Sequence, residues 1–170
     1  MGKLTDLAPW DEQTYGNGVK TLRVLVECEK GSTCKYEYDD DNDSMVVVRQ
    51  LDKHFPYPYS YGTVPQTLAD DGDSLDAIVI SDQTIRSGTV LNCRPLAIVR
   101  MIDNGKQDDK LICTPFYIAH GKIDVHKIVK YLSKYKYPYQ DGTEIVSIEG
   151  VEAALSAIEK THIAYLVNKQ

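Results

Sequence analysis

Four carboxylates lie close together in the middle of the chain and directly precede an apolar run. Asp70, Asp71, Asp73 and Asp76 fall within seven residues, and residues 77–80 are apolar. Carboxylates at ~4 Å repel one another by roughly 1–4 kcal/mol per pair, so such a cluster needs a positive charge nearby. Oxygen donors without sulfur or imidazole favour Mg²⁺ or a similar hard cation over zinc. Taken alone, the cluster is also typical of a solvated acidic turn.

A second acidic group, formed by Asp103, Asp108 and Asp109, follows the apolar run 94–102. Alone it would be interpreted as a polar hairpin. If each group ends a strand of one small barrel, however, the two groups would converge on one site. Metal-binding carboxylates combined with Lys and Arg are typical of phosphoryl transfer to water, because both neutralise phosphate oxygens. The basic residues available at strand ends and turns are Lys35, Arg49 and Lys110.

Several common functional motifs are absent from the sequence. It has no Walker A loop, no G-x-G-x-x-G and no G-x-S-x-G, which argues against common nucleotide hydrolysis and serine hydrolysis. Residues 39–43 have the D-x-D-x-D spacing of an EF-hand loop. However, Ser44 stands where that loop needs Gly, and Gln50 stands where it needs Glu. We interpret this run as a solvated hairpin tip.

Charge and composition limit the partners and the compartment. A net charge of −6 and a pI near 5.2 argue against nucleic acid or a membrane as the main partner. No apolar run approaches the ~18 residues of a membrane-spanning helix, and the N-terminus lacks the apolar segment of a signal peptide. A cytoplasmic protein with reduced cysteines is therefore expected. The four cysteines, none in a C-x-x-C motif, are Cys28, Cys34, Cys93 and Cys113.

Short strands predominate in the first two thirds of the chain. They are predicted over 19–28, 35–38, 45–49, 76–80, 89–92, 94–102 and 111–113, with a hairpin turn at 103–105. Residues 1–18 are interpreted as an arm, and residues 56–62 as a rigid loop bearing three tyrosines. Helical periodicity appears from the N-cap Asp124 to Tyr135 and from Val151 to Tyr165. The pattern predicts a single domain over 1–170 with an α+β fold, in which helices pack on a small, mostly antiparallel β-barrel.

Further residues extend the pattern around the first acidic cluster. Residues 71–77 are similar to the signature D-x-D-P-x-D, with Ser74 in the place of the proline. Outside this run, the residues that extend the pattern are, in order, Glu27, Lys35, Glu37, Arg49, Tyr57, Tyr61, Arg94, Asp103, Asp108 and Lys110. In the order and spacing of these residues and of residues 71–77, the chain resembles the soluble family I inorganic pyrophosphatases of the prokaryotic type. The resemblance covers about residues 20–115 and is weaker towards the C-terminus.

The resemblance implies a fold, an activity and a set of site residues. The fold would be a five-stranded OB-like β-barrel with two flanking α-helices, and the activity the metal-dependent hydrolysis of inorganic pyrophosphate to two orthophosphates. Asp73 would be the general base. Several Mg²⁺ ions, replaceable by Mn²⁺ or Zn²⁺, would be held by Asp71, Asp76, Asp103 and Asp108. The substrate would be bound by Lys35, Arg49, Tyr61, Lys110, Tyr135 and Lys136, with support from Glu27, Glu37 and Tyr57. A homohexamer is also implied.

Two alternatives stay open at this point. A non-catalytic OB-like module could bind single-stranded nucleic acid by stacking bases on its tyrosines, although the acidic cluster would repel the phosphates. A divergent relative could instead act on another phosphoanhydride, such as tripolyphosphate. Only a panel of substrates distinguishes this second alternative from pyrophosphate hydrolysis.

Overall fold

The computed structural model describes residues 2–15, 19–118, 122–133 and 143–170, without the side chains of 13–15 and 19. Within these ranges the chain forms ten strands and two α-helices. The strands are β1 Trp10–Tyr15, β2 Val19–Cys28, β3 Cys34–Asp39, β4 Ser44–Gln50, β5 Ser60–Thr63, β6 Asp76–Val79, β7 Val90–Asp103, β8 Lys106–Gln107, β9 Lys110–Pro115 and β10 Thr143–Glu149. The helices are α1 Val125–Leu132 and α2 Val151–Asn168.

Five strands pair in a ring. The order is β2–β5–β6–β9–β7, and β7 pairs back with β2. Only the β6–β9 pair is parallel within this ring. β1 and β10 extend it at β2 and β7, while β3 and β4 form a separate two-stranded sheet. This mostly antiparallel arrangement with two helices confirms the predicted α+β, OB-like barrel fold.

Alternation along the strands sends side chains to two apolar clusters. On β6, Ala77 and Val79 join one cluster, whereas Ile78 joins the other. The first cluster also holds Leu22, Val24 and Val26 from one face of β2, together with Ala154 and Ile158 of α2. The second contains the buried tyrosines and Ile128 and Leu132 of α1. Each helix therefore covers one of the two clusters with its apolar face.

Local signals in the sequence correctly placed several elements. β2 spans the predicted range, and the Asp124 carboxylate caps α1 by accepting from the Lys127 backbone N–H at 3.0 Å. Asn104 and Gly105 both have positive φ, as the predicted hairpin turn between β7 and β8 requires. Three of the four cysteines are buried, and all four are free thiols. Among the described residues, no helix combines the length and the apolar character that a membrane crossing requires.

Three predictions about elements were wrong. The supposed arm contains β1, and the supposed loop contains the start of β5, because such short strands depend on the hydrogen bonds of β2 and not on their own periodicity. The two strands predicted over 89–102 are one strand, β7, whose pairing with β9 shifts register between Pro95 and Ala97. β10 was not predicted at all. Its described pairing with β7 covers Thr143 to Glu149.

Candidate active site

Most carboxylates of the two acidic groups meet the basic residues in one cavity of about 520 Å³. Every predicted site residue that the structure describes lines it: Glu27, Lys35, Glu37, Arg49, Tyr57, Tyr61, Asp71, Asp73, Asp76, Asp103, Asp108 and Lys110. Tyr135 and Lys136 lie outside the described residues. Asp109, which the sequence groups with Asp103 and Asp108, does not line this cavity and instead faces a second one. Neighbouring residues of an extended segment point to opposite sides, so Asp108 and Asp109 cannot share a site.

A tight turn carries Asp71 and Asp73. Gly72 has a φ of +92°, a conformation that favours glycine. The Asp73 backbone N–H donates to Asp71 Oδ1 at 3.0 Å, and its carbonyl accepts from Ala69 N at 2.7 Å. The backbone of Asp73 is therefore held by hydrogen bonds that do not involve the side chain of Ser74.

The base of this loop is attached to the barrel and to α2. The buried Thr67 hydroxyl donates to the Val64 carbonyl at 2.7 Å and accepts from Leu75 N at 2.9 Å. On the other side, Leu68 N donates to the Thr161 carbonyl of α2 at 2.9 Å. His162 Nδ1 lies 2.7 Å from the Gln66 carbonyl and must carry its proton there, because a carbonyl only accepts. His162 therefore attaches α2 to the segment that leads into this loop.

Lys110 lies between two of the acidic residues. Its ammonium is 2.5 Å from Asp76 Oδ2 and 2.6 Å from Asp108 Oδ1, and the residue is 1% exposed. The parallel β6–β9 pairing places Asp76 directly beside Lys110. Burial raises the pKa of Asp108, while the Lys110 charge opposes that shift. Lys110 therefore supplies the positive charge that the buried end of the acidic cluster requires.

The cavity carries an excess of negative charge that fits divalent cations. Among the described residues that line it, eight are acidic and four are basic. Burial raises the pKa of Asp73, and the charges of Asp71 and Asp76 raise it further. No three His, Cys, Asp or Glu side chains in the described ranges form a ready-made chelating cluster. The donors are nevertheless carboxylate oxygens in a polar cavity, which is the donor type that Mg²⁺ prefers.

The basic side of the cavity is formed by β3 and β4. Their antiparallel register places Lys35 opposite Arg49, and Lys35 Nζ pairs with Glu37 Oε1 at 2.7 Å. Arg49 Nε is buried, and within the described part of the chain it has no hydrogen-bond partner. A buried guanidinium N–H without an acceptor is costly unless an anion binds it. This donor therefore points to an anionic ligand.

Aromatic rings line the floor beside Lys110. The Tyr61 ring centroid lies 5.9 Å from Lys110 Nζ, and the Tyr57 ring packs against Tyr61 at 5.5 Å. Tyr57 also packs against Tyr131 of α1 at 5.5 Å. The rings thus link α1 to the cavity and hold Tyr61 in place.

Glu27 is buried at the end of β2, next to the cavity. Its Oε1 accepts from the Tyr38 backbone N–H at 3.2 Å, which ties β3 to the barrel. Burial raises the pKa of Glu27 to about 7, and the neighbouring charge of Asp76 acts in the same direction. At neutral pH this carboxyl is consequently divided between its two protonation states.

Replacing Glu27 with Gln is expected to remove a pH dependence from the stability of the protein in EDTA. The folded state raises this pKa from 4.5 to about 7. The stabilising contribution of the protonated Glu27 carboxyl is thus fully present below about pH 4.5 and is lost as the pH rises through about 7. At pH values above about 7 the variant should be more stable than the wild type by about 3 kcal/mol, because a shift of one pKa unit corresponds to about 1.4 kcal/mol.

Urea unfolding measured across this pH range tests the expectation. Glu12→Gln, at a side chain that is 83% exposed, is the matched control and should keep the slope of the wild type. If Glu27→Gln also keeps that slope, the buried carboxyl does not titrate as its environment indicates.

Some lining residues were not identified from the sequence. They are Thr5, Leu25, Tyr38, Asp40, Thr63, Ser74, Asn104 and Lys106. Asp40 belongs to the exposed hairpin tip, and the Thr5 hydroxyl donates to its carboxylate. Lys106 follows the turn at Asn104, within a hairpin that the sequence did predict. No local signal relates Thr5 to the site, because its approach to Asp40 depends entirely on how the N-terminal segment packs.

Comparison with known proteins agrees with this site. The sequence model of the inorganic pyrophosphatase family matches residues 24–166, which includes nearly all of the cavity. The chain belongs to the inorganic pyrophosphatase family. An inorganic pyrophosphatase of Synechocystis is 36% identical over 151 residues, which cover 82% of this chain and 88% of that protein. One of Haloferax volcanii is 40% identical over 107 residues, covering 62% of this chain and 60% of that protein.

Solved pyrophosphatase structures share the fold. The inorganic pyrophosphatase of Helicobacter pylori has a TM-score of 0.78 and 33% identity, covering 86% of this chain and 94% of that chain. That of Thermus thermophilus has a TM-score of 0.80 and 26% identity, covering 89% and 94%. Membership in this pyrophosphatase family favours an enzyme over the non-catalytic nucleic-acid-binding module.

Proposed function

We propose that this chain hydrolyses inorganic pyrophosphate to two orthophosphates in a metal-dependent reaction. The observation that carries the proposal is the division of the cavity into two chemically different sides. One side holds the carboxylates, with more negative charge than the local basic residues neutralise. The other presents Lys35 and the unsatisfied Nε of Arg49. A polyanion that arrives with divalent cations is complementary to both sides.

Four aspartates are proposed to hold the metal ions: Asp71, Asp76, Asp103 and Asp108. Mg²⁺ is the proposed metal, with several ions per site, and Mn²⁺ or Zn²⁺ could substitute. When bound, divalent ions lower the pKa of a water molecule and neutralise phosphate oxygens. The Lys110 ammonium already pairs with Asp76 and Asp108, so the carboxylates at this end of the site favour a positive charge.

The side chains of this protein are proposed to bind the substrate and to move the proton. Asp73 takes the proton of the attacking water, from a position that the Gly72 turn sets within the cavity. The phosphate oxygens are bound by Lys35, Arg49, Tyr61 and Lys110, and by Tyr135 and Lys136 outside the described residues. Three residues support these substrate-binding side chains. Glu37 pairs with Lys35, and the Tyr57 ring packs against Tyr61. Glu27 accepts from the Tyr38 backbone N–H and so holds β3, the strand that carries Lys35.

The wider setting is also a proposal. Residues 1–170 are taken as one cytoplasmic domain that assembles into a homohexamer and has neither nucleic acid nor a membrane as partner. Light scattering of the purified protein would test the assembly, because a monomeric mass at micromolar concentration would contradict it.

Release of orthophosphate from pyrophosphate tests the proposed function directly. We expect release with Mg²⁺, none in excess EDTA, and recovery when Mg²⁺ is restored. Tripolyphosphate is assayed in parallel to identify the preferred phosphoanhydride. Absence of release from pyrophosphate by a folded, Mg²⁺-supplemented protein would contradict the proposal, and faster release from tripolyphosphate would change the substrate.

A further inference from the structure

Asp109 stands between two residues of the candidate site but faces away from it. Asp108 and Lys110 line the large cavity, whereas Asp109 lines a second cavity of about 280 Å³ beside α2. That second cavity is also lined by Ala69 and Asp70, which precede Asp71. Asp109 therefore lies behind both of the segments that carry the site carboxylates.

Three donors converge on the Asp109 carboxylate. Oδ2 accepts from Arg100 Nη1 and from Gln107 Nε2, both at 2.8 Å, and Oδ1 accepts from the Met101 backbone N–H at 3.2 Å. The Asp109 side chain is only 12% exposed. Arg100 in turn donates through Nε to Glu149 Oε2 at 2.9 Å, which connects the arrangement to β10.

The bond to Met101 occurs on the edge of β7 that faces β8 and β9, in the gap between these two strands. Ile102 of β7 pairs with Gln107 of β8, and Val99 of β7 pairs with Lys110 of β9. Residues 108–109 connect β8 to β9. Asp108 N donates to the Met101 carbonyl at 2.9 Å, as in an antiparallel ladder. The returning bond from Met101 N goes to the Asp109 side chain. Both backbone groups of Met101 thus hold the segment that carries Asp108.

We propose that Asp109 is a positioning residue for the divalent-cation site, acting on Asp108 and Lys110 through the backbone that it fixes to β7. The proposal rests on the proposed function, since it concerns how the same site binds its cations. Arg100 and Gln107 hold Asp109 in the orientation that reaches Met101. Groups that orient metal ligands without touching the metal commonly change metal affinity by 10–100-fold when they are replaced.

Asp109→Asn tests this role with little change in shape. The amide offers one accepting oxygen in place of two, so it cannot accept from the Met101 backbone N–H on one side and from Arg100 and Gln107 on the other at the same time. Arg100 is 27% exposed and lines the second cavity, so its guanidinium can be hydrated in the variant and the protein should fold. Circular dichroism checks that it does.

Two control variants separate positioning from loss of charge. Asp70→Asn removes one charge next to a proposed metal ligand, as Asp109→Asn does, but at a side chain that is 56% exposed and 4.0 Å from Lys160. Glu149→Gln removes the negative charge of the outer partner of Arg100 and leaves Asp109 bound to Met101.

The measurements are calorimetric Mg²⁺ and Mn²⁺ binding without substrate and the Mg²⁺ dependence of pyrophosphate hydrolysis. We expect Asp109→Asn to weaken metal binding about tenfold or more, with a matching rise in the Mg²⁺ needed for half-maximal rate. Each control should stay within about threefold of the wild type. Metal affinity of Asp109→Asn within this same limit, or equal weakening in Asp70→Asn, overturns the inference. A wild type that binds Mg²⁺ without hydrolysing pyrophosphate contradicts the proposed function alone.

Discussion

Replacing Asp73 with Asn is expected to lower kcat for pyrophosphate by about 100-fold or more, the usual cost of losing a general base. Asparagine keeps the size of the side chain but cannot accept the proton of the attacking water. The fold should be unchanged, because the turn is held by backbone groups of Asp73 and by Gly72, and not by the carboxylate of Asp73. Metal affinity should change little, since the proposed metal ligands are retained.

Steady-state kinetics at saturating Mg²⁺ measures this effect, with Mg²⁺ binding measured in parallel. Asp70→Asn is the matched control, because it makes the same chemical change in the same loop at a side chain that does not line the site cavity. A value of kcat close to that of the wild type in Asp73→Asn would show that another group accepts the proton.

Replacing Lys110 with Met is expected to destabilise the protein in EDTA by about 3 kcal/mol or more. Removing one partner of a buried ion pair leaves the other charge uncompensated, which typically costs about 3–5 kcal/mol. Here two carboxylates, Asp76 and Asp108, would lose the ammonium that lies 2.5–2.6 Å from each of them. Mg²⁺ should restore part of the loss by binding the folded state, so it should stabilise the variant more than the wild type.

Thermal unfolding with EDTA and with Mg²⁺ provides the measurement. For a chain of this length, the expected loss corresponds to a fall in Tm of roughly 10 °C in EDTA. Lys106→Met is the control, because Lys106 lines the same cavity but is exposed, and its Tm should change by no more than about 2 °C. Equal Tm losses in the two variants, or an equal gain with Mg²⁺ in Lys110→Met and wild type, would contradict the role given to Lys110.

Local patterns in the sequence were sufficient wherever the cause of a structure is itself local. The alternation in β2, the Asp124 cap of α1 and the turn at Asn104 depend on neighbouring residues, and each was predicted correctly. Strands without such signals were missed. β5 is four residues long and exists because Gly62 lets it approach β2, where a Cβ would lie 2.0 Å from the Leu25 carbonyl oxygen.

By itself, then, the sequence determined the types and spacing of the groups that could bind metal ions and phosphate. Only the tertiary structure decided which of them meet, because strand register acts over long separations in the chain. Asp76 and Lys110 are 34 residues apart and become direct neighbours through the parallel pairing of β6 with β9. The same register divides a run of three polar residues, sending Asp108 and Lys110 into the site and Asp109 behind it. Composition cannot reveal which of these three residues enter the site, because that depends on the side of the strand to which each side chain points.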